Sequence, residues 1–395
     1  LKCTFFVPST TSPNPKEMSY RAIYHICCLT IFCLLTEKEI LAQNKFIRRF
    51  HPDSLVKRKL SFIPIPVIQS SPETGLKAGL ALDYFFNAGS SASERKIRDS
   101  YAWVQGLYSV RKQLALEAFW QVYTKDEKWF LRNRGGYIDF NEYYWGIGNN
   151  TVPEDDYTNF FYQRIYSTGK ALRRIEENIF AGINYNFSDT WNIFFTGGFA
   201  EDHTPFGSAL VATRISGAGP NIIFDFRDNP FSPVKGWYLE LGSHHYRNFL
   251  GSRSTYDEYL IDARKYFRVF RKDFFGIQFL GNFTQGDMPF RELNRLGGPN
   301  MMRGFFQGRF RDKQHVAAQA EYRKPLNRFL QLAAFTSAGQ VFEELNGWQW
   351  MQMRYAGGLG LRVLLNKEKN IYSRFDFAVT SINTSGFYFR IADAF

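Results

Sequence analysis

Cysteine is nearly missing from this 395-residue chain: the four present, Cys3, Cys27, Cys28 and Cys33, all fall within the first 33 positions. A disulfide framework or a thiolate metal site in the rest of the protein is therefore excluded. Long apolar runs are missing too. No stretch of eighteen apolar residues occurs, so no segment reads as a membrane-spanning helix. The six histidines show no ligand spacing, and no metal is expected. No phosphate-binding loop is found, because Gly357–Gly358–Leu359–Gly360 lies inside an alternating strand; no cofactor is expected. Acidic residues number 37 against 49 Lys and Arg, a net charge of +12. The basic residues are scattered in short clusters such as Arg173–Arg174, without the stripe or motif of a nucleic-acid reader. Loops beside anionic lipid head groups account for that charge, and no nucleic-acid partner is expected.

Aromatics are abundant: 41 Phe and 22 Tyr help bring them to 18% of the chain. Many rings without apolar blocks fit alternating strands, whose lipid face and girdles need aromatics while the lumen stays polar. The alternation is explicit. Leu76, Ala78, Leu80, Leu82, Tyr84 and Phe86 alternate with Lys77, Gly79 and Asp83. Leu114, Leu116, Ala118, Trp120 and Val122 face Gln113, Glu117 and Gln121; Val316, Ala318, Ala320 and Tyr322 face His315, Gln319, Glu321 and Arg323. Period-two patterns of this length cross a bilayer as tilted strands.

Such segments number sixteen from residue 75 to the end, an even count as a single-chain bacterial barrel requires. The fold class expected is all-β, a transmembrane antiparallel β-barrel. Parity puts Arg111–Lys112, Ser188–Asp189 and Phe270–Lys272 at short periplasmic turns, with the long eleventh connection, residues 286–312, facing outward. Upstream, residues 1–17 read as a translated segment before a start at Met18, and 18–42 as a signal peptide with Arg21 before the apolar Ile26-to-Leu35 stretch. Residues 43–74 carry Pro52, Pro64, Pro66 and Pro72, which break a regular run, and read as a short periplasmic tail before a barrel at 75–395. A tail of that length holds no separate periplasmic domain.

Gly297–Gly298–Pro299–Asn300–Met301–Met302–Arg303–Gly304–Phe305 lies in the long eleventh connection. It resembles the Arg-Gly-Phe tip of loop six in the BamA/TamA-like bacterial surface-antigen superfamily. A second match runs from Asp225, Arg227, Asp228 and Pro230 to Pro233 and Gly236, and resembles the family's periplasmic turn between strands eight and nine. The segment Gly386, Phe387, Phe389, Ile391 to Phe395 looks like the terminal strand read by the barrel assembly machinery. The resemblance implies a loop folded into the lumen, with Arg303 paired to a lumen acid. Glu321, in Glu321–Tyr322–Arg323, matches the family's acidic position, and alternation independently puts it on the polar face. Ser337 stands where the family commonly carries Asp, so Arg303 is expected to have one carboxylate partner, Glu321, with Ser337 as its second lumen partner. Asp83, Glu117, Asp262, Arg264, Arg362, Arg374 and Asp376 read as a hydrated lumen network.

The function implied is insertion or translocation of proteins at the bacterial outer membrane. The partners implied are outer-membrane lipid, the assembly machinery for the barrel's own insertion, and separate periplasmic or surface subunits. The alternative is a passive pore or a structural scaffold. A catalytic site is not expected: Ser243 and His244 are adjacent, so on a strand they point to opposite faces and cannot pair.

Overall fold

In the computed structural model, residues 62–86, 98, 100–196, 212–230, 232–270, 272–366, 370–391 and 394–395 are described. The signal segment and the start of the tail lie outside them. Eighteen strands run in order: β1 (Phe62–Ser71), β2 (Gly75–Phe86), β3 (Ser100–Ser109), β4 (Leu114–Tyr123), β5 (Trp129–Tyr144), β6 (Thr158–Glu176), β7 (Ile179–Thr196), β8 (Thr213–Asp225) and β9 (Gly236–Tyr246). The remainder are β10 (Tyr256–Arg268), β11 (Phe274–Gly286), β12 (Asn294–Leu296), β13 (Phe310–Asp312), β14 (Gln314–Pro325), β15 (Leu330–Phe342), β16 (Arg354–Asn366), β17 (Ile371–Thr380) and β18 (Ser385–Ile391). All but β12 and β13 close into one antiparallel barrel of sixteen strands; those two form a separate hairpin within the β11–β14 connection.

Alternation sets the faces as expected. Leu80, Val104, Ile183, Leu359 and Phe377 project outward and are half or more exposed, a lipid-facing band that would be unfavourable in water. On β14, His315, Ala317, Gln319, Glu321 and Arg323 are buried in the lumen. Among the described residues, no helix is long and apolar enough to cross a membrane, which says nothing of strands.

Two boundaries differ from expectation, and they offset each other in the count. Residues 62–71, assigned to a tail, form β1, which pairs with β2 from Phe62–Tyr84 to Ser71–Gly75. The prolines that suggested a break are tolerated because of where their missing N–H groups point. Leu76 O accepts from Val110 N, toward β3, at 2.9 Å. Leu76 and its partner Ser70 are therefore a non-hydrogen-bonded pair, and the even positions of β1 aim their backbone groups away from β2. Pro64 and Pro66 share that parity, so the donors they lack belong to the other edge of the strand.

The second difference is that Ser188–Asp189 is no turn. It lies inside β7, which reads as two segments because a bulge at Asn192 (φ +51°) shifts the register between Phe161 and Gln163 on β6. The turn is Glu177–Asn178, with Asn178 at φ +64°. With β1 added, Arg111–Lys112 becomes the third connection and moves to the rim that carries the long loop. Phe270–Lys272 remains the tenth connection, at the opposite rim.

Candidate functional site

The β11–β14 connection, residues 287–313, turns back into the barrel. Its hairpin β12–β13 pairs Asn294 with Asp312 and Leu296 with Phe310. Left-handed backbone at Gly297 (φ +103°) and Gly304 (φ +108°) permits the reversal, and a Cβ on Gly304 would meet Thr380 Cγ2 at 2.7 Å. Leu296, Met301, Met302, Phe305 and Phe310 pack with Ala317, Val341 and Ala356 of the wall, so the loop has a small apolar core inside a polar lumen. Glu142 on β5 holds the base through Arg295 (3.1 Å) and Arg291 (3.5 Å).

At the tip, Arg303 Nη2 donates to Glu321 Oε2 and Nη1 to Asp376 Oδ2, each at 2.7 Å. Its guanidinium carbon lies 3.4 Å from the centre of the Phe335 ring, a desolvated cation–π contact worth about 2 kcal/mol. Arg362 bridges the same two acids, at 3.1 Å from Glu321 Oε1 and 2.5 Å from Asp376 Oδ1. Arg323 donates to Glu321 Oε1 at 2.7 Å, and Arg374 Nε stands 3.5 Å from Asp376 Oδ2. Four buried guanidiniums thus share two carboxylates. Arg374 also takes loop oxygens, Pro299 O at 3.0 Å and Asn300 Oδ1 at 3.2 Å. The wall alone sets three of these guanidiniums against the two carboxylates, so the loop arginine adds to a positive surplus, which the face of Phe335 and the loop oxygens on Arg374 offset in part.

This corrects the expected partner set. Arg303 has two carboxylates, the second being Asp376 on β17, and Ser337 is not among its partners: the buried Ser337 Oγ makes no hydrogen bond. Asp376, Arg362 and Arg374, read from sequence as general lumen polarity, are part of the tip's binding site. The only sequence signal for this was their inward parity on β16 and β17.

The tip also reaches the place where the barrel closes. β1 meets β18 at one ladder position among the described residues, Ser70 opposite Phe389, whereas β1 pairs with β2 over ten. Gly304 N donates to Tyr388 Oη of β18 at 2.9 Å, Thr384 Oγ1 donates to Gly304 O at 3.3 Å, and Gln307 N donates to Glu73 Oε1 in the β1–β2 turn at 2.8 Å. Gly386 lies so close to that turn that a Cβ would meet Pro72 Cγ at 2.9 Å. The loop therefore touches both sides of the seam from within.

The Asp225–Gly236 motif forms the β8–β9 turn at the opposite rim. Arg227 makes a bidentate pair with Asp225, 2.8 and 3.0 Å, and Asp228 Oδ1 accepts from Val234 N and Lys235 N. Pro230 O faces Arg227 Nη1 at 3.5 Å, and Pro233 occupies the return of the turn. Gly236, at φ +103°, lets the chain re-enter so tightly that a Cβ there would stand 2.1 Å from Phe226 O. On β18, Phe387 and Ile391 project outward, and Phe389 stacks on Phe375 with ring centres 4.5 Å apart. Phe395 does not continue that row. It lies beyond β18, buried with its ring 6.0 Å from Tyr266 of β10.

The profile of the Omp85 superfamily domain matches residues 136–395, more than half of the chain. The chain belongs to the Omp85 superfamily. The wider surface-antigen resemblance read from the loop and turn motifs agrees with that assignment. Solved structures similar to this Omp85 barrel include BamA from Haemophilus ducreyi lacking POTRA domains 1–3, with a TM-score of 0.57 at 11% identity, covering 85% of this chain and 71% of that one. CdiB from Acinetobacter baumannii gives 0.57 at 13% identity, covering 85% and 60%, and CdiB from Escherichia coli gives 0.53 at 10%, covering 85% and 68%. At such identities these likenesses speak for the fold alone. No curated protein sequence matches. An Omp85 barrel of sixteen strands places the protein in the bacterial outer membrane.

Proposed function

We propose that this Omp85 barrel assists insertion or translocation of other proteins at the outer membrane, by opening between β1 and β18 and working with separate partner subunits. The observation that carries this is the seam. A closed barrel gains from pairing every edge, yet among the described residues β1 and β18 pair only at Ser70–Phe389, and on the same edge of β1 Pro64 and Pro66 have no N–H to give. An edge that is left short of partners can be offered to an incoming strand. The loop tip, bound to β18 through Tyr388 and to the β1–β2 turn through Glu73, would hold the seam until a client displaces it. No covalent step is needed for this role.

Ser70 and Phe389 both face outward and are directly opposed, so a Ser70→Cys/Phe389→Cys pair can be oxidised across the seam. The barrel itself has no cysteine to compete. The host is depleted of the protein and complemented with this variant, and the outer-membrane proteome is quantified. Selective loss of some outer-membrane or surface proteins is expected on depletion. The reduced pair should restore them and the oxidised pair should not. An unchanged proteome on depletion would move the assignment to the passive pore or scaffold.

A further inference from the structure

The outer surface of the barrel carries a second constellation, unconnected with the lumen. Ser243 and His245 are two apart on β9 and share one face, opposite to Tyr238, Glu240 and Tyr246, which are buried on the lumen side. His245 Nε2 stands 3.3 Å from Ser243 Oγ, and His245 Nδ1 stands 2.8 Å from Asp257 Oδ1 on β10, the residue directly opposite it in the ladder. Asp257 Oδ1 also accepts from Arg247 Nη2 at 2.6 Å, which fixes the carboxylate. This is the order of contacts that activates a serine hydroxyl: carboxylate to Nδ1–H, Nε2 to the hydroxyl.

Its depth is informative. Below it on the same face of β9 stands Leu241, exposed to lipid, and across from Ser243 stands the exposed Tyr259, whose ring meets His245 edge-on at 6.3 Å. Apolar residue, tyrosine, then charge is the sequence met in passing from acyl chains to head groups. The β8–β9 ladder is also interrupted here: it pairs Ala218 with His245 and resumes only at Asn221 with Gly242, because Pro220 has no N–H to give.

We propose that Ser243, His245 and Asp257 form a hydrolytic site at the membrane interface, directed at the carboxylic ester of a membrane lipid. Ser243 Oγ attacks the ester carbonyl carbon as His245 Nε2 takes the hydroxyl proton. The carbon–oxygen bond to the lipid alcohol breaks, and His245 returns the proton to the departing oxygen. Water then attacks the acyl-serine, its proton passing through His245 to Ser243 Oγ, and a fatty acid leaves. Asp257 holds the imidazole with Nδ1–H toward its carboxylate. Ser243 is 6% exposed, so an ester reaches its hydroxyl by displacing the Tyr259 or His245 side chain, which are 42% and 38% exposed. Among the described residues, His245 is the only side-chain partner of that hydroxyl. A built oxyanion donor is therefore not provided by a side chain, and covalent labelling is a more sensitive readout than turnover.

The test uses the full chain folded in detergent micelles and in phosphatidylethanolamine–phosphatidylglycerol vesicles, treated with an alkyl fluorophosphonate. Peptide mass mapping should find the label on Ser243. Ser243→Ala should abolish it, and His245→Ala should slow it by roughly 100-fold, the scale of a lost general base. Heat-dependent gel mobility checks that each variant is folded. Fatty acid released from the vesicles should fall with labelling in both variants. Absence of label on Ser243 in the folded protein, or an equal labelling rate in His245→Ala, would overturn the site. Labelling without fatty-acid release would overturn the lipid-ester assignment.

Discussion

At the scale of single residues, the lumen tip is a balance of four guanidiniums on two carboxylates, and the two carboxylates are not equivalent to the residues around them. Glu321→Gln would leave Asp376 as the one carboxylate in the cluster that holds Arg303, Arg323 and Arg362. Breaking one side of a buried network costs about 3–5 kcal/mol, and thermal unfolding of the barrel in detergent should shift accordingly. Ser337→Ala removes a buried hydroxyl that has no partner, so the same measurement should change by less than about 0.5 kcal/mol. A large loss in Ser337→Ala would show that the serine belongs to the lock after all. Gly304→Val meets both a left-handed backbone and Thr380 at 2.7 Å, and should unseat the tip, seen as protease cleavage within 297–306 at low protease.

At the scale of elements, strands were legible where one face is apolar and the other charged, and illegible where chemistry is local. β2, β4, β14 and β17 keep their alternation. β7 appears as two segments in sequence because Asn192 inserts one extra residue and inverts the parity of the residues after it. β1 was hidden by its prolines, since a proline argues against a strand unless its missing N–H falls on an unpaired edge, and which edge is unpaired is a tertiary fact. The tip arginine was legible through its glycines, but Asp376 lies 73 residues away and only closure of the barrel brings it to Arg303. The Ser243–His245–Asp257 contacts escaped for the same reason, because the pairing of β9 with β10 sets the third member. Pro64→Val and Pro66→Val give the edge of β1 the two donors it lacks and should tighten the seam. Slower amide exchange at the seam and weaker complementation of a depleted host are the expected results.

At the scale of the whole molecule, the long loop turns back into the barrel and occupies part of its lumen. The loop's apolar core and its arginine occupy the lumen near one rim, and the Phe395 ring lies against Tyr266 toward the other. In planar bilayers the intact protein should conduct little, and removal of residues 290–310 should give large, steady single-channel currents; equal currents before and after would mean the loop is no plug. The prolines of β1 have one more consequence, for whatever strand the seam receives. Along that edge the backbone offers a carbonyl at every second residue, but amide hydrogens only at Phe62, Ile68 and Ser70, with a gap at Pro64 and Pro66 between them. A guest strand would be gripped by bonds running both ways at Ile68 and Ser70, nearest the loop-bearing rim, and opposite the two prolines only by the hydrogens it brings itself. Its hold would be firm beside the loop-bearing rim and slack across the proline pair, so the edge resembles a fastening with a gap left in it, where release can begin.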